Sequence, residues 1–143
     1  RLLYMTRELI NAFDRVFLTV QVDATNKWVY ANWMGYLTSD NVRTGAMAYT
    51  TALANAGYSR VLNDTRLIIG SWDHSLEWVL KEWAPQAAKA GVKQLAMVVA
   101  PETLSESTAS EFYHSIKEFE VRMFSNMEDA KAWLRQYALQ PKK

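Results

Sequence analysis

Residues 61–91, VLNDTRLIIGSWDHSLEWVLKEWAPQAAKAG, run from a β-rich start through an acidic turn into a helical stretch, with three tryptophans in thirty-one residues. A unit of this kind places its polar loop at the carboxyl end of a sheet, where open α/β folds bind ligands. SRVLND (59–64) reads as a short strand. Residues 75–90 read as a helix whose inward stripe is Leu76, Val79, Leu80, Trp83 and Ala87, stopped by Gly91.

Upstream, VFLTVQVD (16–23) and KWVYANWMGYL (27–37) are β-rich runs separated by a turn of hairpin length, which predicts an antiparallel pair. In the first run Val16, Leu18, Val20 and Val22 make one apolar face and Phe17, Thr19, Gln21 and Asp23 a mixed one. Trp28 and Trp33 have opposite parity and so face opposite sides of the sheet. Thr38 or Ser39 can cap a helix in which Val42, Ala46, Tyr49, Leu53 and Ala56 recur at helical spacing, closed by Gly57. Downstream, KQLAMVVA (93–100) is apolar on both faces, as a central parallel strand should be. A third helix carries Ala109, Phe112, Tyr113 and Ile116; EVRMF (120–124) is a last strand. Ser125 with Glu128 forms a capping box for a final helix with Ala130, Trp133, Leu134 and Tyr137 inward.

The predicted order is β-β-α-β-α-β-α-β-α: a mixed five-stranded sheet, its first strand antiparallel and the rest mostly parallel. Right-handed crossovers put the four helices mainly on one face and leave the other partly bare. Residues 1–143 read as a single domain. Residues 1–12 are an N-terminal extension, either an edge strand at LLYM or a helical turn at TRELINAF, and residues 139–143 are a tail ending in Lys142 and Lys143.

Sixteen basic residues against fifteen acidic ones leave a net charge of +1, with no long block of either sign, so nothing points to nucleic acid or an anionic membrane. The absence of cysteine excludes disulfides, thiolate zinc sites and cysteine nucleophiles. No apolar run reaches the roughly eighteen residues needed to span a bilayer, and RLLYMTRELINAF is charged where a signal peptide is apolar. A cytoplasmic protein is expected.

The runs WVYANWMGYLT, VLNDTRLIIGSW, EWVLKEWAPQAAKAG, AMVVAPETLSESTAS and VRMFSNMEDAKAWL, spanning about residues 15–135, resemble the bacterial SpoIIAA-like group within the STAS and CRAL-TRIO type domains. The resemblance implies a fold of βα turns in a superhelix, with helices on one side. It implies no particular chemistry. STAS relatives include anti-sigma-factor antagonists switched by phosphorylation of a serine in the loop after the third strand. Here only Ser71 or Ser75 could take that place; neither has the family's flanking residues, and Asp73 and Glu77 oppose added negative charge.

The loop around residues 64–78 holds the candidate ligand or partner site: Asp64, Arg66, Ser71, Trp72, Asp73, His74 and Trp78. Asp64, Ser71 and His74 are the residue types of a hydrolytic triad, but Gly70-Ser71-Trp72-Asp73 lacks the second glycine of a nucleophile elbow. The plainer reading has Asp64 bonding turn amides, Asp73 or Ser75 capping the helix and His74 in solvent. His74 and His114 have no ligand spacing for a metal, and no Gly-rich loop cradles a cofactor phosphate, so neither metal nor cofactor is expected. Trp83 and Trp133 read as core, whereas Trp78 turns toward Lys81, Glu82 and Lys89 on the outer side of its helix.

Two functions fit. The first is a non-enzymatic interaction or regulatory module of STAS-like type, self-associating as a homodimer or meeting a protein partner through the half-bare sheet face or Trp78. The second is a carrier or sensor of a small apolar, aromatic or lipid-like ligand.

Overall fold

The structure, a computed structural model, describes residues 4–138. Its elements are β1 (Tyr4–Ile10), β2 (Val16–Asp23), β3 (Trp28–Gly35), α1 (Ser39–Ala56), β4 (Arg60–Ile68), α2 (residues 73–90), β5 (Gln94–Val98), α3 (Leu104–Ser115), β6 (Glu120–Phe124) and α4 (Met127–Ala138). The sheet is mixed and six-stranded in the order β1-β2-β3-β4-β5-β6. β1, β2 and β3 are antiparallel neighbours, and β3 through β6 run parallel.

The sixth strand is β1, an edge strand as one of the two alternatives for residues 1–12 had it, but described over Tyr4–Ile10 rather than confined to LLYM. YMTRELI pairs along the whole of β2, from Tyr4 opposite Asp23 to Ile10 opposite Val16. As an edge strand it exposes Thr6, Arg7 and Glu8, so its composition lacks the alternation of a buried strand. TRELINAF is therefore not a helical turn. The expected tail at residues 139–143 lies outside the described residues.

Helix α1 forms as its ends predict. The Thr38 side chain accepts from Asn41 N–H at 3.1 Å, Asn41 Oδ1 accepts from Thr38 N–H, and Gly57 leaves the helix at φ 72°. The capping box expected at Ser125 and Glu128 is replaced by a cap one residue later: Asn126 Oδ1 accepts from Asp129 N–H at 2.9 Å, and Asn126 Nδ2 donates to Asp129 Oδ2 at 3.0 Å. Helix α2 begins as a 3-10 turn at Asp73–Ser75, and Val79–Trp83 winds as a π-helix between α-helical segments.

Two cores result, one on each face. Helices α1, α2 and α3 cover the first, where Leu18, Val29, Trp33, Val61 and Leu95 meet Tyr49, Leu53, Trp83 and Phe112. Contact is closest at Gly45 on α1, where a Cβ would lie 2.5 Å from the Trp33 ring, so only glycine lets this helix rest on β2 and β3. Helix α4 alone crosses to the other face, covering Trp28, Leu62, Ala96 and Val98 with Ala130, Trp133 and Leu134. The three-to-one division keeps the helices mainly on one face. The fourth crosses because β4 and β5 are apolar on both sides and Trp28 points away from the other three. Arg60 ties this second core together. Buried in it, its guanidinium donates to the carbonyls of Leu134 on α4 (3.1 Å), Asn26 (2.6 Å) and Lys27 (3.1 Å) in the β2–β3 turn, and lies 5.8 Å from the Trp28 ring.

Candidate functional site

Strand parity divides the expected site between the two faces. The strand at residue 60 does not stop at Asp64 but continues to Ile68, pairing Leu67 with Met34 and Ile68 with Gly35. Asn63 and Thr65 thereby turn toward α1, α2 and α3, while Asp64 and Arg66 share the opposite face with Tyr30. Asp64 and Arg66 are thus not assembled with Ser71, Trp72, Asp73, His74 and Trp78, which lie in or beside the start of α2.

On the α4 face, Asp64 is 2% exposed and is held by two side chains and one backbone amide. Arg66 donates Nε to Oδ1 at 2.9 Å and Nη2 to Oδ2 at 2.8 Å, its N–H donates to Oδ1, and the Tyr30 hydroxyl donates to Oδ2 at 2.9 Å. Burial alone would raise the Asp64 pKa, but the bonds from Arg66 and Tyr30 outweigh it and hold the carboxyl below its usual range. Burial and then the Asp64 charge push the Tyr30 hydroxyl up to about 12, so it stays a donor. Because the folded-state pKa of Asp64 lies below the unfolded value of about 3.9, its stabilisation is present above that pH and is lost as pH falls through the folded pKa. Asp64→Ala is expected to cost about 1–3 kcal/mol at pH 7 and distinctly less at pH 3. Urea unfolding at both pH values checks it, and a pH-independent difference would remove the carboxylate from this role.

The loop residues are engaged locally. Ser71 Oγ lies 2.9 Å from Thr108 Oγ1 on α3 and accepts from Asp73 N–H at 3.1 Å. Neither Asp73 nor Ser75 caps the helix as expected: Trp72 occupies the N-cap with no side-chain bond, and the Ser71 contact is a local turn. Ser75 is only 2% exposed and bonds to His74 Nδ1 at 2.8 Å. His74 is exposed, as expected, but tethered: its Nε2 meets the Leu37 carbonyl at 2.9 Å, tying the β3–α1 loop to α2. The triad residue types have separate partners, and no nucleophile–base pair forms among them. Trp78 is also not directed outward. It packs against the first core and lies under Arg43 of α1, 5.6 Å from its ring, because α1 passes beside α2 there.

Two spaces adjoin these residues. An open polar groove of about 490 Å³ on the α4 face is lined by Gln21, Asp23, Trp28, Tyr30, Arg66, Lys131 and Arg135, with Arg135 5.4 Å from the Trp28 ring. On the other face, at the carboxyl ends of β3, β4 and β5, an apolar cavity of about 50 Å³ lies among Trp33, Asn63, Thr65 and Met97 of the sheet, Val42 and Tyr49 of α1, Val79 and Trp83 of α2, and Phe112 of α3. Leu37, Ile68 and Trp72 complete its wall. Asn63 and Thr65 are sequence signals for it, being polar residues on the strand face turned to the helices. Tyr49 and Phe112 carry no signal beyond core. Among the described residues no three His, Asp or Glu side chains gather as metal ligands, and no helix is long and apolar enough to cross a membrane.

A family model described as SpoIIAA-like matches residues 28–135. The chain belongs to the SpoIIAA-like family. Its fold is shared with the crystal structure of an uncharacterized protein of the DUF3478 family with a SpoIIAA-like fold from Shewanella loihica PV-4. The TM-score is 0.53 at 17% sequence identity, covering 92% of this chain and 93% of the other. No curated protein matches in sequence. The SpoIIAA-like match begins at Trp28, so β1 and β2 lie outside the matched segment.

Proposed function

We propose that this SpoIIAA-like chain is a non-enzymatic interaction module that self-associates through the apolar rim at the carboxyl end of its sheet. The carrying observation is the exposure there of Tyr36 (75%), Leu67 (55%) and Ile69 (50%), with Leu104 (67%) at the start of α3 on the same end. Side chains of this size standing together in water favour a protein contact. Their backbone is rigid: Leu67 pairs with Met34, Ile68 with Gly35, and Ile69 N–H donates to the Gly35 carbonyl at 2.9 Å. Beyond Asp64, which pairs with Val98, β4 has no neighbouring strand on its β5 side among the described residues. Its last four residues extend past β5 by roughly 13 Å. Apolar side chains and an open strand edge together suit a second copy of the chain in a symmetric contact.

The half-bare sheet face is a weaker surface for this purpose, since Thr6, Glu8, Thr19, Gln21 and Asn32 make it polar. Trp78 is already covered by Arg43. The apolar cavity beneath the three helices, at about 50 Å³, takes no acyl chain and so does not serve a lipid carrier. Sedimentation equilibrium tests the proposal. The wild-type chain is expected to dimerise with concentration, and Leu67→Ser/Ile69→Ser to stay monomeric at an unchanged melting temperature. A wild-type chain that remains monomeric at several hundred micromolar, or a double variant that dimerises equally well, would overturn it.

A further inference from the structure

We propose that the cavity beneath α1, α2 and α3 is a binding site for a small neutral molecule presenting a carbonyl- or ether-type oxygen to the Trp72 indole N–H. The inference goes beyond the self-association reading and does not depend on it. Trp72 is 6% exposed and forms part of the cavity wall, and its Nε1 is buried without a hydrogen-bond partner among the described residues. An indole N–H only donates, so what the site lacks is an acceptor. A buried donor left unmatched is costly and uncommon in a native fold, which makes this one informative.

Apart from the Tyr49 hydroxyl, the other side-chain polar groups around the cavity are matched. Trp33 Nε1 donates to Asn63 Oδ1 at 2.8 Å, Asn63 Nδ2 to Met97 Sδ at 3.1 Å, Trp83 Nε1 to Thr50 Oγ1 at 2.9 Å and Thr65 Oγ1 to the Val98 carbonyl at 2.8 Å. Tyr49 supplies a second donor on the wall formed by α1. It is 4% exposed, and burial alone raises its pKa, with no hydrogen bond contributing, so its hydroxyl keeps its proton.

The lining defines the ligand's remaining properties. It contains no Asp, Glu, Lys, Arg or His, so a charged ligand would be desolvated without a counter-charge. Around the cavity the aromatic rings meet mostly edge to face: Trp33 with Tyr49 at 6.3 Å, Tyr49 with Trp83 at 5.9 Å and Trp72 with Phe112 at 6.4 Å. They give an apolar body flat surfaces to lie against. A space of about 50 Å³ exceeds what one water needs and is well short of the roughly 150 Å³ that takes a benzene ring. A molecule of a few heavy atoms fits.

Acetone, which is neutral and carries one acceptor, is the probe, with xenon as an apolar control lacking an acceptor. In indole N–H spectra of the full chain, acetone is expected to move the Trp72 resonance saturably. Trp72→Phe keeps an aromatic ring and removes the donor, so it should weaken acetone binding roughly three- to tenfold and leave xenon binding unchanged. Tyr49→Phe should weaken acetone binding less. The wild-type titration decides the matter even if a variant folds poorly. A Trp72 resonance that never saturates, an acetone affinity unchanged in a folded Trp72→Phe, or a long-lived water on the indole N–H that acetone does not displace would each overturn the proposal, the last making the cavity a hydration site.

Discussion

Truncation of Trp83 to Ala is expected to cost about 3–5 kcal/mol, a large part of the roughly 5–15 kcal/mol that holds a domain folded. The side chain is 2% exposed, and its ring lies within 6.4 Å of Tyr49, Phe112 and Phe119, joining α1, α3 and the approach to β6. The indole N–H donates to Thr50 Oγ1, which in turn donates to the Ala46 carbonyl at 2.7 Å. Truncation therefore enlarges an existing cavity and also removes one link of a buried hydrogen-bond chain. Urea unfolding monitored by the remaining tryptophans measures the loss; a cost below about 1 kcal/mol would mean that the first core collapses readily around the gap.

Arg60→Leu is expected to destabilise by about 2–4 kcal/mol, although a leucine is better suited to an apolar site. Burial pulls the Arg60 pKa below its ordinary value, and no carboxylate pairs with it; three carbonyls on two separate segments hold its charge. Removing the guanidinium leaves the Asn26 and Lys27 carbonyls without this donor and detaches α4 from the β2–β3 turn. Proteolysis should register the change first in α4. A variant as stable as the wild type would show that Trp28, Trp133 and Leu134 hold the second core unaided.

Most of the fold is legible in sequence where periodicity is unopposed. Strands β2, β3 and β6 and helix α1 fall where alternation, helical spacing and end signals put them. β1 stayed one of two alternatives because an edge strand with one solvated face can be built from Thr, Arg and Glu, which suit a helical turn as well. The far half of β4 escaped because Asp64 and Arg66, which satisfy each other across one face, look like turn residues when read along the chain. The stripe Ala130, Trp133 and Leu134 identifies an amphipathic helix but not which sheet face it covers; the position of Trp28 decides that. The site was legible only in part. Trp72 and the carboxyl-end loops were singled out, whereas the cavity itself is made from three strands and three helices whose meeting depends on packing rather than on spacing.

The sheet's strand order bears on synthesis. Every strand is hydrogen-bonded to the one made just before it, so each arrives at a finished edge and none has to be inserted between strands already paired. The antiparallel β1–β2–β3 pairings are local and close quickly, whereas each parallel pairing from β3 to β6 spans roughly thirty residues and closes more slowly. The first core can therefore grow as the chain leaves the ribosome. Its other face has to wait: Trp28 and Arg60 stay uncovered until Trp133 and Leu134 emerge, the latter 74 residues after Arg60. A nascent chain stopped before α4 is expected to be a nearly complete sheet with one apolar patch open, the species on which a chaperone would act.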